Sequence, residues 1–191
     1  MAQKPKKSFK KELREWGFFL AILAGVYFMG GHILLQRLIL STGILNPQTK
    51  LSNPEKAEYD FDLISSEGKT LQFSELRGKV VFMNLWATWC PPCIAEMPNI
   101  HSLYQEVASE QIVFVMLSLD EDPEKAREFV KKKAYSFPIY FLKNRLPSVY
   151  DTQSIPTTFV ISPQGQVASK NYGMANYNTK NFKDFLKKLS K

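Results

Sequence analysis

Cys90 and Cys93 are the only 2 cysteines in a chain of 191 residues, and Pro91 and Pro92 fill the space between them. An apolar run, Val80-Val81-Phe82-Met83-Asn84-Leu85-Trp86, precedes the pair and reads as a buried strand. A helix-period pattern follows it. Strand, Cys-x-x-Cys, helix is the arrangement that reversible dithiol–disulfide chemistry needs. One helical turn brings the two sulfurs within bonding reach, and the helix N-terminus stabilises a thiolate on the first. Competing uses fare worse. Zinc requires about four ligands, with a second Cys or His pair at ligand spacing. This chain adds only His32, inside an apolar run, and His101, on the same helix as the cysteines. A purely structural disulfide would close a very short loop, where the entropic gain is smallest. No metal is expected, and the redox group is the cysteine pair itself, with no separate cofactor.

Position divides the work between the two thiols. Cys90, at the helix N-terminus, is the expected exposed nucleophile. Cys93, one turn in, is the expected buried resolving thiol, which attacks the mixed disulfide and releases the substrate. Proline at both 91 and 92 removes two backbone N–H groups that could face the Cys90 sulfur. Less thiolate stabilisation makes the dithiol less stable relative to the disulfide, which argues for a reductant rather than a strong oxidant. Glu96 follows Cys93 by three residues, within reach on the same helical face. Resolution needs Cys93 deprotonated, and a partly buried carboxylate there would take the proton.

The segment Trp89-Cys90-Pro91-Pro92-Cys93, with Glu96 and Pro98 after it and Ile155-Pro156-Thr157-Thr158-Phe159 far downstream, resembles the thioredoxin superfamily. Within it the likeness is to the membrane-anchored ResA/TlpA/DsbE group of thiol–disulfide oxidoreductases, over residues 57–191. The resemblance implies that Pro156 is the cis-proline facing the disulfide. That bond would expose the Ile155 backbone for strand-like pairing with a substrate peptide and keep metal-binding side chains away from the thiols. Trp89 and Ile94 would supply an apolar rim, with Pro91 and Pro92 beside it. Where thioredoxin carries a buried Asp on the central strand this chain has Asn84, which cannot titrate, and that departure strengthens the case for Glu96.

Charge separates the chain into two parts. The net charge of +7 is +5 over residues 1–40 and only +2 over the remainder. Lys4, Lys6, Lys7, Lys10, Lys11 and Arg14 precede an apolar stretch from Gly17 to Leu35, broken only by His32. A helix of that length spans roughly 28 Å, about the hydrocarbon thickness of a bilayer. The stretch is longer than a signal-peptide core and lacks an Ala-x-Ala-like cleavage site, so it reads as an uncleaved anchor. The lysines stay cytoplasmic and the C-terminal part crosses. Gly17, Ala21 and Gly25 fall at four-residue spacing, a face on which helices can pair. Small residues are common in such helices, and the chain is read as a monomer. No basic face interleaved with aromatics argues for nucleic acid.

The expected organisation is a basic tail (1–16), a transmembrane anchor (17–37), a linker with two Asn-Pro steps (38–56) and a catalytic domain (57–191). In the domain, Ala57–Leu63 and Lys69–Phe73 flank a turn as an N-terminal β-hairpin. A short helical turn capped by Ser74 follows. The active-site helix covers residues 91–107, kinked at Pro98, with Met97, Ile100, His101, Tyr104, Val107 and Ala108 as its core face. A strand at 112–119, a helix from Asp122-Pro123 with Ala126, Phe129 and Val130 inside, and a strand at 137–142 come next. A hairpin over 157–162 and 166–172 precedes a helix at 181–189. The fold class is α/β, a thioredoxin-like sandwich with an added hairpin, plus one N-terminal transmembrane helix. The resemblance assigns residues 120–151 to a central insertion.

The function expected is reduction of disulfides in selected proteins, outside the cytoplasm, resupplied by a transmembrane thiol electron donor. The absence of other cysteines fits an oxidising compartment. The resemblance implies apocytochrome c, before haem attachment, as a substrate. Three alternatives compete with this reading. A copper-binding module of the same fold would use the thiolates for Cu(I) but usually adds a distant His or Met, and Pro156 sits where such a ligand could have been. A thiol peroxidase needs Thr three residues before its reactive cysteine, where this chain has Ala87. A general oxidase is separable by reduction potential.

Overall fold

The computed structural model describes residues 9–26, 31–42, 45–49, 51 and 53–191. A seven-stranded sheet organises the domain, in the order β2-β1-β5-β4-β3-β6-β7. The strands are β1 (Asp62–Ser65), β2 (Thr70–Gln72), β3 (Val80–Trp86), β4 (Ile112–Ser118), β5 (Ile139–Leu142), β6 (Thr157–Ile161) and β7 (Val167–Tyr172). β3, β4 and β5 run parallel, while β6 returns antiparallel beside β3, β7 pairs antiparallel with β6, and β1 of the β1–β2 hairpin sits antiparallel beside β5. The segment between β4 and β6 thus adds an inner strand, β5, between β4 and the hairpin.

β3 is buried at every position, as a central strand covered on both faces must be. Its side chains alternate between two cores. Val80, Phe82 and Trp86 join the core beneath helix α3 (Pro91–Val107), and Val81, Met83 and Leu85 join the core beneath the hairpin. Burying a side chain of this size contributes roughly 1.5–3 kcal/mol. The alternation places Asn84 on the α3 side of the sheet, and Thr158 pairs with it in register from β6.

Several local expectations shift. Ala57, Tyr59, Phe61 and Leu63 are buried in alternation, but ladder pairing starts only at Asp62. The short turn at Phe73–Leu76 is 3-10, and Gln72 rather than Ser74 caps it, through reciprocal bonds with Glu75. α3 keeps Met97, Ile100 and Val107 inside as expected, yet Leu103 is buried and Ala108 is exposed, because Ala108 is already past the helix end. Helix α4 (Pro123–Lys133) starts at its Asp122 cap, and α5 (Lys180–Leu189) starts at Thr179.

In the N-terminal part, helix α1 (Phe9–Val26) and helix α2 (His32–Ser41) lie on either side of residues 27–30 and include parts of the 17–37 stretch expected as an anchor. No helix among the described residues is long and apolar enough to cross a membrane. α1 shares its length between the end of the basic tail and the apolar run. α2 carries Gln36 and Arg37 and packs along α3, with Leu40 fully buried and Ile33 against the core. Leu34, Leu35 and Leu38 face outward, as do Phe18, Phe19 and Leu20 of α1. Lys4, Lys6, Lys7 and residues 27–30 lie outside the described residues, as does the side chain of His32. Beyond α2, residues 45–48 lie against β7. The Gln48 N–H donates to Asn171 Oδ1 at 2.6 Å, and Ser169 Oγ donates to the Gln48 carbonyl at 2.5 Å.

Candidate active site

The β3–α3 junction delivers Cys90 and Cys93 as a disulfide at the start of α3, with Cα atoms 5.3 Å apart. Cys90 is the cap residue in extended conformation, and Pro91 and Pro92 occupy the first helical positions. Proline is favourable there because its missing N–H has no helical partner. The first amide left is that of Cys93, and it donates to Cys90 Sγ at 3.3 Å. The prolines therefore leave one backbone donor on the outer sulfur. Cys90 is 4% exposed and Cys93 fully buried. The expectation of an openly exposed nucleophile is corrected: α3 and the 155–156 loop cover all but an edge of Cys90.

That loop is set by a cis Ile155–Pro156 bond. The Ile155 carbonyl oxygen lies 3.7 Å from Cys90 Sγ. Ile155 is half-buried, Pro91 exposed and Pro92 half-buried. Trp89 is 66% exposed and stands free beside the disulfide. Ile94 does not join this rim, since its position four residues into the helix turns it into the core. A cleft of about 320 Å³ between Trp89, Leu119, Asp120, Glu121 and Lys125 flanks one side.

Behind the disulfide lies a buried polar floor. Glu96 has no exposure at all. Its Oε1 accepts from Asn84 Nδ2 at 2.9 Å, and its Oε2 accepts from the Ala175 N–H at 3.0 Å. Burial pushes the carboxyl up from 4.5 to about 8, and the bonds from Ala175 and Asn84 pull the other way. Asn84 Nδ2 also donates to Thr158 Oγ1 at 2.8 Å. The Tyr177 hydroxyl, fully buried, lies near Thr158 without a well-aligned bond, and burial and Glu96 both hold its proton on. Glu96 is thus not a solvated helix residue but the most deeply buried carboxyl of the α3 side.

Three contributors were not read from the sequence. Asp120, at the end of β4, accepts from the Thr88 N–H (3.1 Å), Thr88 Oγ1 (2.6 Å) and Ser118 Oγ (2.8 Å). This clamp fixes the loop that presents Trp89 and Cys90. Thr158 and Tyr177 complete the floor around Asn84 and Glu96. Thr158 sat within a motif already noted, and Asp120 stood at a strand end beside Ser118, where a short polar pair marks a loop anchor. Tyr177 carried no signal in a region of mixed polarity. His101 is structural: its ring packs against Tyr135 and Phe137, and Nε2 meets Ser136 Oγ at 3.0 Å. Among the described residues there is no group of three or more His, Cys, Asp or Glu placed to hold a metal ion.

The Redoxin family matches residues 53–187 of the chain. The thiol-disulfide oxidoreductase ResA of Bacillus subtilis is 35% identical over 109 residues, which are 56% of this chain and 61%, less than two thirds, of that protein. A ResA of Bacillus cereus is 30% identical over 164 residues, 83% of this chain and 94% of that protein. Among solved structures, a thioredoxin-family thiol:disulfide interchange protein from Chlorobium tepidum is similar with a TM-score of 0.61 at 25% identity, covering 74% of this chain and 99% of that one.

Proposed function

The chain belongs to the Redoxin family, as a ResA- and DsbE-like member of the thioredoxin superfamily, and on that premise we propose that it is a membrane-anchored protein-disulfide reductase working outside the cytoplasm. The observation that carries the reading is a redox disulfide at a helix N-terminus with a buried, titratable carboxyl one turn behind it.

In the reduced form, the Cys90 thiolate attacks a substrate disulfide. A Cys90–substrate S–S bond forms, the substrate's own S–S bond breaks, and one substrate thiolate departs. Cys93 then loses its proton to the Glu96 carboxylate and attacks Cys90 Sγ. The second substrate thiolate leaves, two electrons have passed to the substrate, and Cys90–Cys93 is again a disulfide. With its carboxyl at about 8, Glu96 lies close to an ordinary thiol, so proton exchange between them is nearly balanced. At pH 7 about a tenth of the carboxyl is ionised, and the fraction rises with pH. The Ile155 backbone and Trp89 would hold the substrate peptide, and a transmembrane thiol donor would return the pair to the dithiol. Apocytochrome c before haem attachment is the substrate to test first.

The anchor reading rests on the charge of +5 over residues 1–40 and on the outward apolar side chains of α1 and α2. A reporter fused after Lys191 should be active only outside the cytoplasm, and activity confined to the cytoplasm overturns the topology. For the chemistry, Cys93→Ser should accumulate a mixed disulfide through Cys90 while Cys90→Ser accumulates little. Equal trapping by both variants overturns the assignment.

A further inference from the structure

The loop after β7 touches three things at once. Gly173, at φ +75, turns the chain and donates its N–H to the Pro156 carbonyl at 2.8 Å. Two residues on, the Ala175 N–H holds Glu96 Oε2. The next residue, Asn176, reaches the other way. Its N–H donates to the Leu45 carbonyl at 2.8 Å, and its Nδ2 donates to the Leu40 carbonyl at 3.2 Å. Asn176 Oδ1 accepts from the Asn178 N–H at 3.1 Å, which fixes the amide's orientation. Leu40 is itself fully buried, and Gln48 is fastened to β7.

From this juxtaposition we infer that Asn176 is a positioning residue and that Leu40 and residues 45–48 are a working part of the active site: by clamping the 173–176 loop from outside, they hold the Ala175 amide on the Glu96 carboxyl. The inference rests on the functional reading above for its consequence but not for its geometry. Sequence reading treats this stretch as a passive linker. The hydrogen bonds make it the outer wall of the loop that sets Glu96. A segment leading from a membrane anchor is thereby wired to the carboxyl behind Cys93 through one amide and its neighbour.

Glu96 is faced by Asn84 from β3, by the Ala175 amide and Tyr177 phenol from the post-β7 loop, and on its own helix by Cys93 one turn back. The Ala175 amide favours the ionised carboxyl. Loosening it should move the Glu96 titration upward.

The test uses the full chain in detergent micelles, oxidised, with carboxyl carbon-13 labelling. The Glu96 resonance is identified by its loss in Glu96→Gln. Asn176→Ala should raise the Glu96 midpoint, lowering its ionisation constant by about threefold or more. An unchanged or lowered midpoint overturns the inference, whatever Glu96 does in catalysis. A raised midpoint with a release rate that is flat with pH supports the inference and removes the functional reading instead. Native-state hydrogen exchange of the parent gives a second measurement that needs no variant. The Gln48, Ala175 and Asn176 amides should exchange together, as one opening unit. Free exchange at Gln48 or Asn176 alongside a protected Ala175 overturns the inference.

Discussion

Beside Cys90 one edge of the sulfur reaches the surface, with Trp89 66% exposed and the Ile155 carbonyl 3.7 Å from the sulfur, whereas behind Cys93 the surroundings are closed and polar, built from Glu96, Asn84, Thr158 and Tyr177. The two sulfurs are adjacent, so the contrast is made entirely by what packs on either side. The rim offers contact surface beside the Ile155 backbone, which suits recognition of an extended peptide. The floor offers a proton site in a buried setting, where a carboxyl's affinity for its proton is raised. On the proposed mechanism attack belongs to the rim and resolution to the floor, and variants on the two sides should fail in different steps.

The largest effect is expected at the boundary itself. Cys90→Ser removes the attacking sulfur and should reduce disulfide-reductase turnover by on the order of a thousandfold or more. Stopped-flow reduction of a protein disulfide measures it. Turnover within tenfold of the parent would mean that Cys93 reaches substrate unaided and that rim and floor are not distinct.

Next comes the floor. Glu96→Gln keeps the shape but removes the proton acceptor, and should slow release of substrate from the mixed disulfide by about a hundredfold while leaving the first attack nearly unchanged. Release should rise with pH toward about 8 in the parent and lose that rise in the variant. Rapid-quench separation of the two steps decides it. Equal slowing of both steps would erase the division of labour.

The same carboxyl makes a stability prediction. Its folded value, about 8, lies above its unfolded value near 4.5. Between those limits the unfolded chain has lost this proton and the folded chain still binds it, so stability falls as pH rises from about 4.5 and levels off above about 8. The total loss is on the order of 5 kcal/mol at most. Urea unfolding of the oxidised protein at pH 5 and at pH 8.5 should show this decline, and Glu96→Gln should flatten it. An identical decline in the variant would assign the effect to other groups.

The rim was more legible in the sequence than the floor, for a physical reason. Rim chemistry is local: Trp89, Cys90, Pro91, Pro92 and Cys93 are contiguous, and a strand before a helix positions them without help from elsewhere. The sheet was legible too, because β3 and β6 are short runs of buried residues flanked by turns. The floor is assembled from β3, α3, β6 and the post-β7 loop, so Glu96 could be nominated by helical spacing but its partners Ala175 and Tyr177 could not. Asp120 was missed because its partners, Thr88 and Ser118, come together only when β3 and β4 pair. The docking of α2 on α3, through half-buried Ile33 and buried Leu40, was not legible, because an apolar helix packed on protein and an apolar helix in lipid share a composition.

The smallest effect should come from Trp89, and it tests the rim alone. The Asp120 clamp on Thr88 holds the loop before Trp89, so the indole is presented in advance rather than ordered on binding. At 66% exposure it contributes little to the fold, and Trp89→Ala should change stability by no more than about 0.5 kcal/mol. A peptide laid against it would cover much of a large apolar surface, so the variant should lose roughly fivefold to thirtyfold in kcat/KM for a protein disulfide. A small linear disulfide such as bis(2-hydroxyethyl) disulfide cannot span from the sulfurs to the indole, and its reduction should be unaffected. Release kinetics and their pH dependence should also stay as in the parent, because the floor is untouched. If Trp89→Ala slows the small disulfide as much as the protein, the indole acts on the reactivity of Cys90 itself, and the rim is part of the chemistry rather than of recognition.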